Sequence, residues 1–218
     1  MGEIFSKILQ QVCEWNWAEI VKVIVSIWVA TVATIALKTW KRQSKAQKQI
    51  DFMDAITDSV HEFIDSLAAP IEMVNYIKLG IESYKDMPNI DTKIENPEAL
   101  AYIQKRGKED SKRLYEYLKA CSPSLIRIRS LSVKGQVLGL KNYKDCYNAC
   151  RMLTWQHDRI QALCYMIGSE NLYWKNPKVQ ESLSKVLLLD SEEIKKGVEE
   201  QHVNFLAFVK ENYEKIYT

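Results

Sequence analysis

The sequence predicts an all-α chain. It reads as a single N-terminal transmembrane helix, preceded by a short amphipathic segment and followed by a cytoplasmic bundle of about five helices. Three observations carry this reading. Glycine and proline number only 7 and 5 in 218 residues, so long segments run without a breaker. Apolar residues from Ile50 to Ile81 recur at helical spacing. The stretch VIVSIWVATVATIAL, Val23 to Leu37, contains no charged side chain. Hydrophobic residues make up 47% and charged residues 27%, enough to build a core and unlike a disordered chain. The net charge of +2 argues against a nucleic-acid binder working by bulk electrostatics.

The apolar stretch is the first element to justify. Lys22 and Lys38 bracket it, and the run between them spans about 22 Å as a helix, short of a ~30 Å hydrocarbon core. Extension to Ile20, with both lysines snorkelling, supplies the missing length. Trp15, Trp17 and Trp40 then fall at the two ends, where amphipathic rings favour the interface. Residues 1–22 carry Glu3, Glu14 and Glu19 against Lys7 and Lys22, with no basic n-region or small-residue cleavage site, so a signal peptide fits poorly. Ser26, Thr31 and Thr34 are the only polar side chains inside the run. A surface-lying helix would need a polar face that these do not supply.

Charge sets the expected orientation. Lys38, Lys41, Arg42, Lys45 and Lys48 crowd one flank, and no acid follows until Asp51. That flank is expected on the cytoplasmic side of an inner, or plasma, membrane, with the N-terminus outside. The predicted divisions are an amphipathic segment 1–17, a transmembrane helix 18–40, a basic juxtamembrane hinge 41–49 and a bundle 50–218. In the first segment Ile4, Phe5, Ile8, Leu9 and Val12 recur at helical spacing. Ser26, Ala30, Ala33 and Thr34 form a small-residue ladder within the span, the pattern that lets membrane helices approach closely and self-associate.

In the bundle, Ile50, Met53, Val60, Ile64, Leu67, Ile71, Val74 and Ile81 fit heptad a and d positions, and Ile56, Phe63 and Ile77 widen the stripe. A broad stripe suits a bundle helix better than a two-stranded coiled coil. Pro70 predicts a kink within it. The helices expected are 43–84, 97–120, 141–167, 177–189 and 192–216. Asn96–Pro97, Ser122–Pro123 and Asn176–Pro177 serve as start signals. Ser124 to Val133, SLIRIRSLSV, alternates like a strand; lacking a partner strand, it reads as a short helix or an irregular segment.

The helix at 141–167 carries the reactive side chains. Cys146, Cys150, Leu153, His157, Ile160, Cys164 and Ile167 share one face, which reads first as core packing. His61 and His202 read as isolated histidines, with His202 in a structural hydrogen bond. No HExxH, glycine-rich phosphate loop or nucleophile elbow occurs, and no cofactor or metal is expected.

The string RMLTWQH sets Arg151 and His157 at R-x5-H spacing on a helical background. In those two respects the chain resembles the HEPN ribonucleases, helical bundles that dimerise around an R-x4-6-H motif. The resemblance covers these seven residues, and Met152 stands where that family carries a polar residue. It implies that His157 would do acid–base chemistry at a ribose 2′-hydroxyl while Arg151 holds the phosphate, with RNA as substrate.

Three functional readings follow. The first is a non-enzymatic, membrane-anchored interaction or sensor module, with the bilayer, a second copy of itself and an unidentified cytoplasmic protein as partners. A membrane scaffold, an exclusion factor or a membrane-acting component of a stress or anti-phage system would have this economy. The second is an anchored HEPN-like ribonuclease using Arg151 and His157, the one case in which nucleic acid is a partner. The third is a pore-forming or membrane-disrupting effector acting through the span itself.

Overall fold

The computed structural model describes residues 17–85 and 95–217. The N-terminal amphipathic segment and Trp15 lie outside the described residues, as does most of the connection before Pro97. Every regular element among the described residues is helical. Helix α1 is Trp17–Glu82; α2, Pro97–Tyr102, passes through a π-helical turn, Ile103–Gly107, into α3, Lys108–Lys134. Helices α4, Tyr143–Ile167, α5, Pro177–Leu187, and α6, Ser191–Tyr217, complete the chain. Two compact units divide at Lys48 and Gln49.

The first unit contains the apolar half of α1. The second is the bundle, and its core is a single cluster of buried residues running from Phe52 to Val209. Within it α4 packs against both α3 and α6. The Gln49–Glu82 part of α1 completes the core. Its Met53, Ile56, Val60, Phe63, Leu67, Val74 and Ile77 are fully buried. Burying side chains of this size stabilises by about 1.5–3 kcal/mol each before chain entropy is counted. The stripe is broad, as expected. Ile56, Phe63 and Ile77 are as fully buried as Met53, Val60, Leu67 and Val74, whereas Ile50 and Ile64 are only half-buried.

Residues 41–49, expected as a hinge, continue as helix. KRQSKAQKQ holds no glycine, proline or β-branched residue, so nothing in it opposes helix propagation. Helix α1 also continues through Pro70. Proline has no N–H to give the Ser66 carbonyl one turn back. That carbonyl instead accepts the Cys121 Sγ–H at 3.3 Å, which ties α1 to α3 where the ladder is broken.

The expected start at Ser122–Pro123 is overturned: α3 runs straight through Pro123 to Lys134. The reason is the stripe. Asp110, Leu114, Leu118, Cys121, Leu125, Ile128 and Ser132 are all buried at four- and three-residue steps, in phase on both sides of the proline. The same register resolves SLIRIRSLSV as helix. Ile128 is fully buried, and its alternating neighbour Ile126 is 66% exposed.

Helix starts differ in mechanism. Asn176 caps α5 through its side chain, accepting from Lys178 N at 2.9 Å. Asn96 makes no cap bond; its amide donates to Ser184 Oγ at 2.8 Å, joining the start of α2 to α5. Asp190 caps α6: one carboxylate oxygen accepts from Glu192 N and Glu193 N, and the other accepts from Lys78 Nζ at 2.9 Å. The turn before α4 takes Gly139 and Asn142 into the left-handed region, at φ 65° and 53°. Buried Asn212 holds it, accepting from Lys141 N and donating to Lys141 O.

Candidate functional site

Among the described residues one helix, α1, is long and apolar enough to cross a membrane. An 18-residue window of it has mean hydropathy 2.3, and none of that window is buried. Its large apolar side chains, from Val21 to Trp40, are 45–69% exposed. The three hydroxyls inside the segment are satisfied locally. Ser26 Oγ donates to Lys22 O, Thr31 Oγ1 to Ile27 O and Thr34 Oγ1 to Ala30 O, at 2.7–2.8 Å. A hydroxyl bonded back one turn presents its hydrocarbon edge outward, which lowers the cost of facing lipid. Trp17 and Trp40 lie about 35 Å apart along the axis, enough to bracket a hydrocarbon core. Lys22, Lys38, Lys41 and Arg42 are all exposed beside them. Ser26, Ala30, Ala33 and Thr34 share one exposed face, within an arc of about 100°.

Arg151 and His157 are placed on different faces of α4. Six residues turn the helix so that the two side chains point about 120° apart, about 9 Å along the axis. Arg151 is exposed and lines an open groove of about 350 Å³ between α3 and α4, beside Trp155, Tyr147 and Ile128. In the same groove the Arg129 guanidinium grips Asp158 through both carboxylate oxygens at 2.8 Å. His157 is only 4% exposed. Its ring lies 6.3 Å from Phe63 of α1, and its Nε2 meets no protein donor or acceptor. The imidazole therefore packs in the core, and the protomer does not bring it to the guanidinium.

The cysteine face of α4 is likewise interior. Cys146, Cys150 and Cys164 are buried, as is Cys121 of α3. The Cys146 thiol is pushed well up by its hydrogen bond with Cys150 and by burial, and burial pushes Cys164 up to about 11. Burial raises Cys121 as well. Protonated at neutral pH, Cys121, Cys146 and Cys164 are weak nucleophiles and weak metal ligands. No group of three or more His, Cys, Asp or Glu side chains among the described residues is arranged to hold a metal.

Two arrangements were not apparent from the sequence. His61 and His202 do not stand alone: their rings meet edge to face at 5.1 Å, joining α1 to α6. The structural hydrogen bond expected of His202 is not made by its Nε2, which has no partner. Burial and the neighbouring His61 lower the His202 pKa, against a smaller opposing pull from Asp65.

The second arrangement surrounds the π turn. Tyr102 donates its hydroxyl to the fully buried Asp110 at 2.7 Å, and Arg106 lies 3.6 Å from the same carboxylate. Arg106 also donates to Tyr76 of α1 at 3.1 Å. Burial and the bond to Asp110 push the Tyr102 hydroxyl well above its usual range. The available signal was an acid, Asp110, in register with Leu114, Leu118 and Cys121. The other Asp110 oxygen has no partner, so the cluster is a buried polar junction rather than an open site.

No protein-family model, curated protein or solved structure matches this chain.

Proposed function

We propose that this chain is a single-pass membrane protein whose helical bundle works, without catalysing a reaction, as an interaction module at the cytoplasmic face. The observation that carries the reading is the bare apolar half of α1, hydropathy 2.3 with nothing buried, on the same helix whose other half builds the bundle core. Water is a poor solvent for such a surface, and a bilayer is a good one. The one-sided flank of Lys38, Lys41, Arg42, Lys45 and Lys48 supports the bundle being retained inside the inner, or plasma, membrane. The small-residue face of Ser26, Ala30, Ala33 and Thr34 supports self-association of the anchor. The interior placement of His157 and the four described cysteines favours this reading over a nuclease.

Carbonate extraction of membranes tests the placement. The full chain should stay in the pellet, and a chain starting at Gln49 should be released. Recovery of the full chain as a soluble monomer without detergent would reject the proposal. A detergent pull-down with mass measurement should then retrieve a protein partner through the bundle. Retention of RNA, with cleavage lost in His157→Ala, would instead favour the nuclease.

A further inference from the structure

Five cations follow the apolar segment of α1: Lys38, Lys41, Arg42, Lys45 and Lys48. At 100° per residue they fall within an arc of about 120°, while Gln43 and Gln47 face the other way. Because α1 is unbroken through this stretch, the arc is a physical stripe and not a pattern on paper. All five side chains are exposed, and none is paired with a carboxylate among the described residues. The next acid along the chain, Asp51, also falls outside the arc.

Retention of a flank in the cytoplasm requires basic residues near the span, on any face of the helix. A stripe confined to one face asks for more, because its counter-charge has to come from one side. The stripe starts where the apolar segment ends. Lys38, Lys41 and Arg42 cover about 6 Å of axis, the depth of one headgroup layer. Lys45 and Lys48 lie farther out, about 10 and 15 Å beyond Lys38, where flexible stems and a Debye length of about 8 Å still couple them to surface phosphates.

We propose that this stripe binds the phosphates of anionic phospholipids and gathers them on one side of the helix. The proposal rests on the reading of α1 as a membrane anchor and assigns that anchor a lipid class. Neutral zwitterionic lipids would give the stripe no net counter-charge. A nucleic acid could match the charge but would have to lie against the bilayer surface, where phosphates already surround the helix.

The test reconstitutes the full chain in phosphatidylcholine bilayers with a minor fraction of phosphatidylglycerol. Patches are excised with a polymer, and their headgroups are counted. Phosphatidylglycerol should be enriched roughly threefold over the bulk ratio, and the enrichment should collapse near 1 M salt, where screening shortens to about 3 Å. The variant K41Q/Q43K/K45Q/Q47K keeps the net charge but moves two cations to the opposite face. It should lose about half of the enrichment while resisting carbonate like the parent.

Equal enrichment in parent and variant would overturn the stripe in favour of charge number alone. No enrichment in a carbonate-resistant parent would overturn the stripe and leave the anchor standing. Failure to resist carbonate would overturn both. Tight binding of heparin to protein in pure phosphatidylcholine patches, without phosphatidylglycerol enrichment, would assign the stripe to a soluble polyanion instead.

Discussion

At Gly107 a Cβ would lie 2.2 Å from the carbonyl oxygen of Ile167, a backbone atom at the end of α4. At Gly197 the nearest atom to a Cβ is Gln156 Nε2, 2.7 Å away at the end of a flexible side chain. Both glycines precede or occupy helix, so alanine at either position gains up to about 1 kcal/mol of helix propensity. The surroundings decide the sign. Gly107→Ala forces α3 away from α4 and should destabilise the bundle by about 1–3 kcal/mol, the usual cost of overpacking. Gly197→Ala asks only that Gln156 turn aside and should be neutral or slightly stabilising. Urea denaturation of residues 49–218 reads both, and a Gly107→Ala variant as stable as its parent would refute the close approach.

Between elements, the ring pair of His61 and His202 makes the junction of α1 and α6 sensitive to acid. The folded state lowers the His202 pKa below its ordinary value of 6.5, because burial and His61 oppose the cation. Below pH 6.5 the unfolded chain therefore takes up more protons there than the folded one, and stability falls as pH falls. Lys78 and backbone N–H groups lower Asp190, and Lys141 and Asn142 lower Glu211, so these carboxylates act in a separate, more acidic window. Their stabilisation is present above the ordinary carboxylate range and is lost as pH falls through the folded values. Solvent screening keeps it small. His202→Gln should flatten the stability profile as pH falls through 6.5 and leave the more acidic carboxylate limb unchanged. An unaltered slope would show that the ring pair does not couple the helices.

The same junction shows what was legible in the sequence and what was not. Element type and two apolar stripes were legible, since Met53 to Ile81 and Cys146 to Ile167 carry their period in the chain itself. Contacts between distant segments have no local signature, so His61 gave no sign of His202. Asp110 went unread, although its register with Leu114 and Leu118 was a signal for half of its cluster, and the π turn that brings Tyr102 onto it leaves no signal in the sequence. Pro123 was read as a start because a proline looks alike at a helix start and inside a helix. The stripe continuing past it to Ile128 and Ser132 was the stronger evidence. The R-x5-H spacing was visible, but faces of a helix are set by angle, and six residues leave Arg151 and His157 apart.

On the scale of the whole molecule, the bare segment of α1 poses a question of assembly, because a bilayer satisfies its apolar side chains without choosing a partner for them. Ser26, Ala30, Ala33 and Thr34 make the flattest face of the segment; Trp28 and Ile35 make the bulky opposite one. With the Ser26 and Thr34 hydroxyls already bonded to their own helix, close packing of backbones is what that face offers a second copy. Ala30→Ile would place a branched side chain at its centre and hold the helices apart. The dimer fraction measured by crosslinking in mild detergent should fall several-fold, an effect of about 1–2 kcal/mol. Ala36→Ile, outside that arc, adds the same three carbons without touching that face and should leave the dimer unchanged. Equal losses in both variants would mean that apolar bulk, and not the small-residue face, governs association. Equal persistence in both would assign any self-association to the bundle, whose exposed Ile126, Val133 and Val137 would be the next residues to substitute.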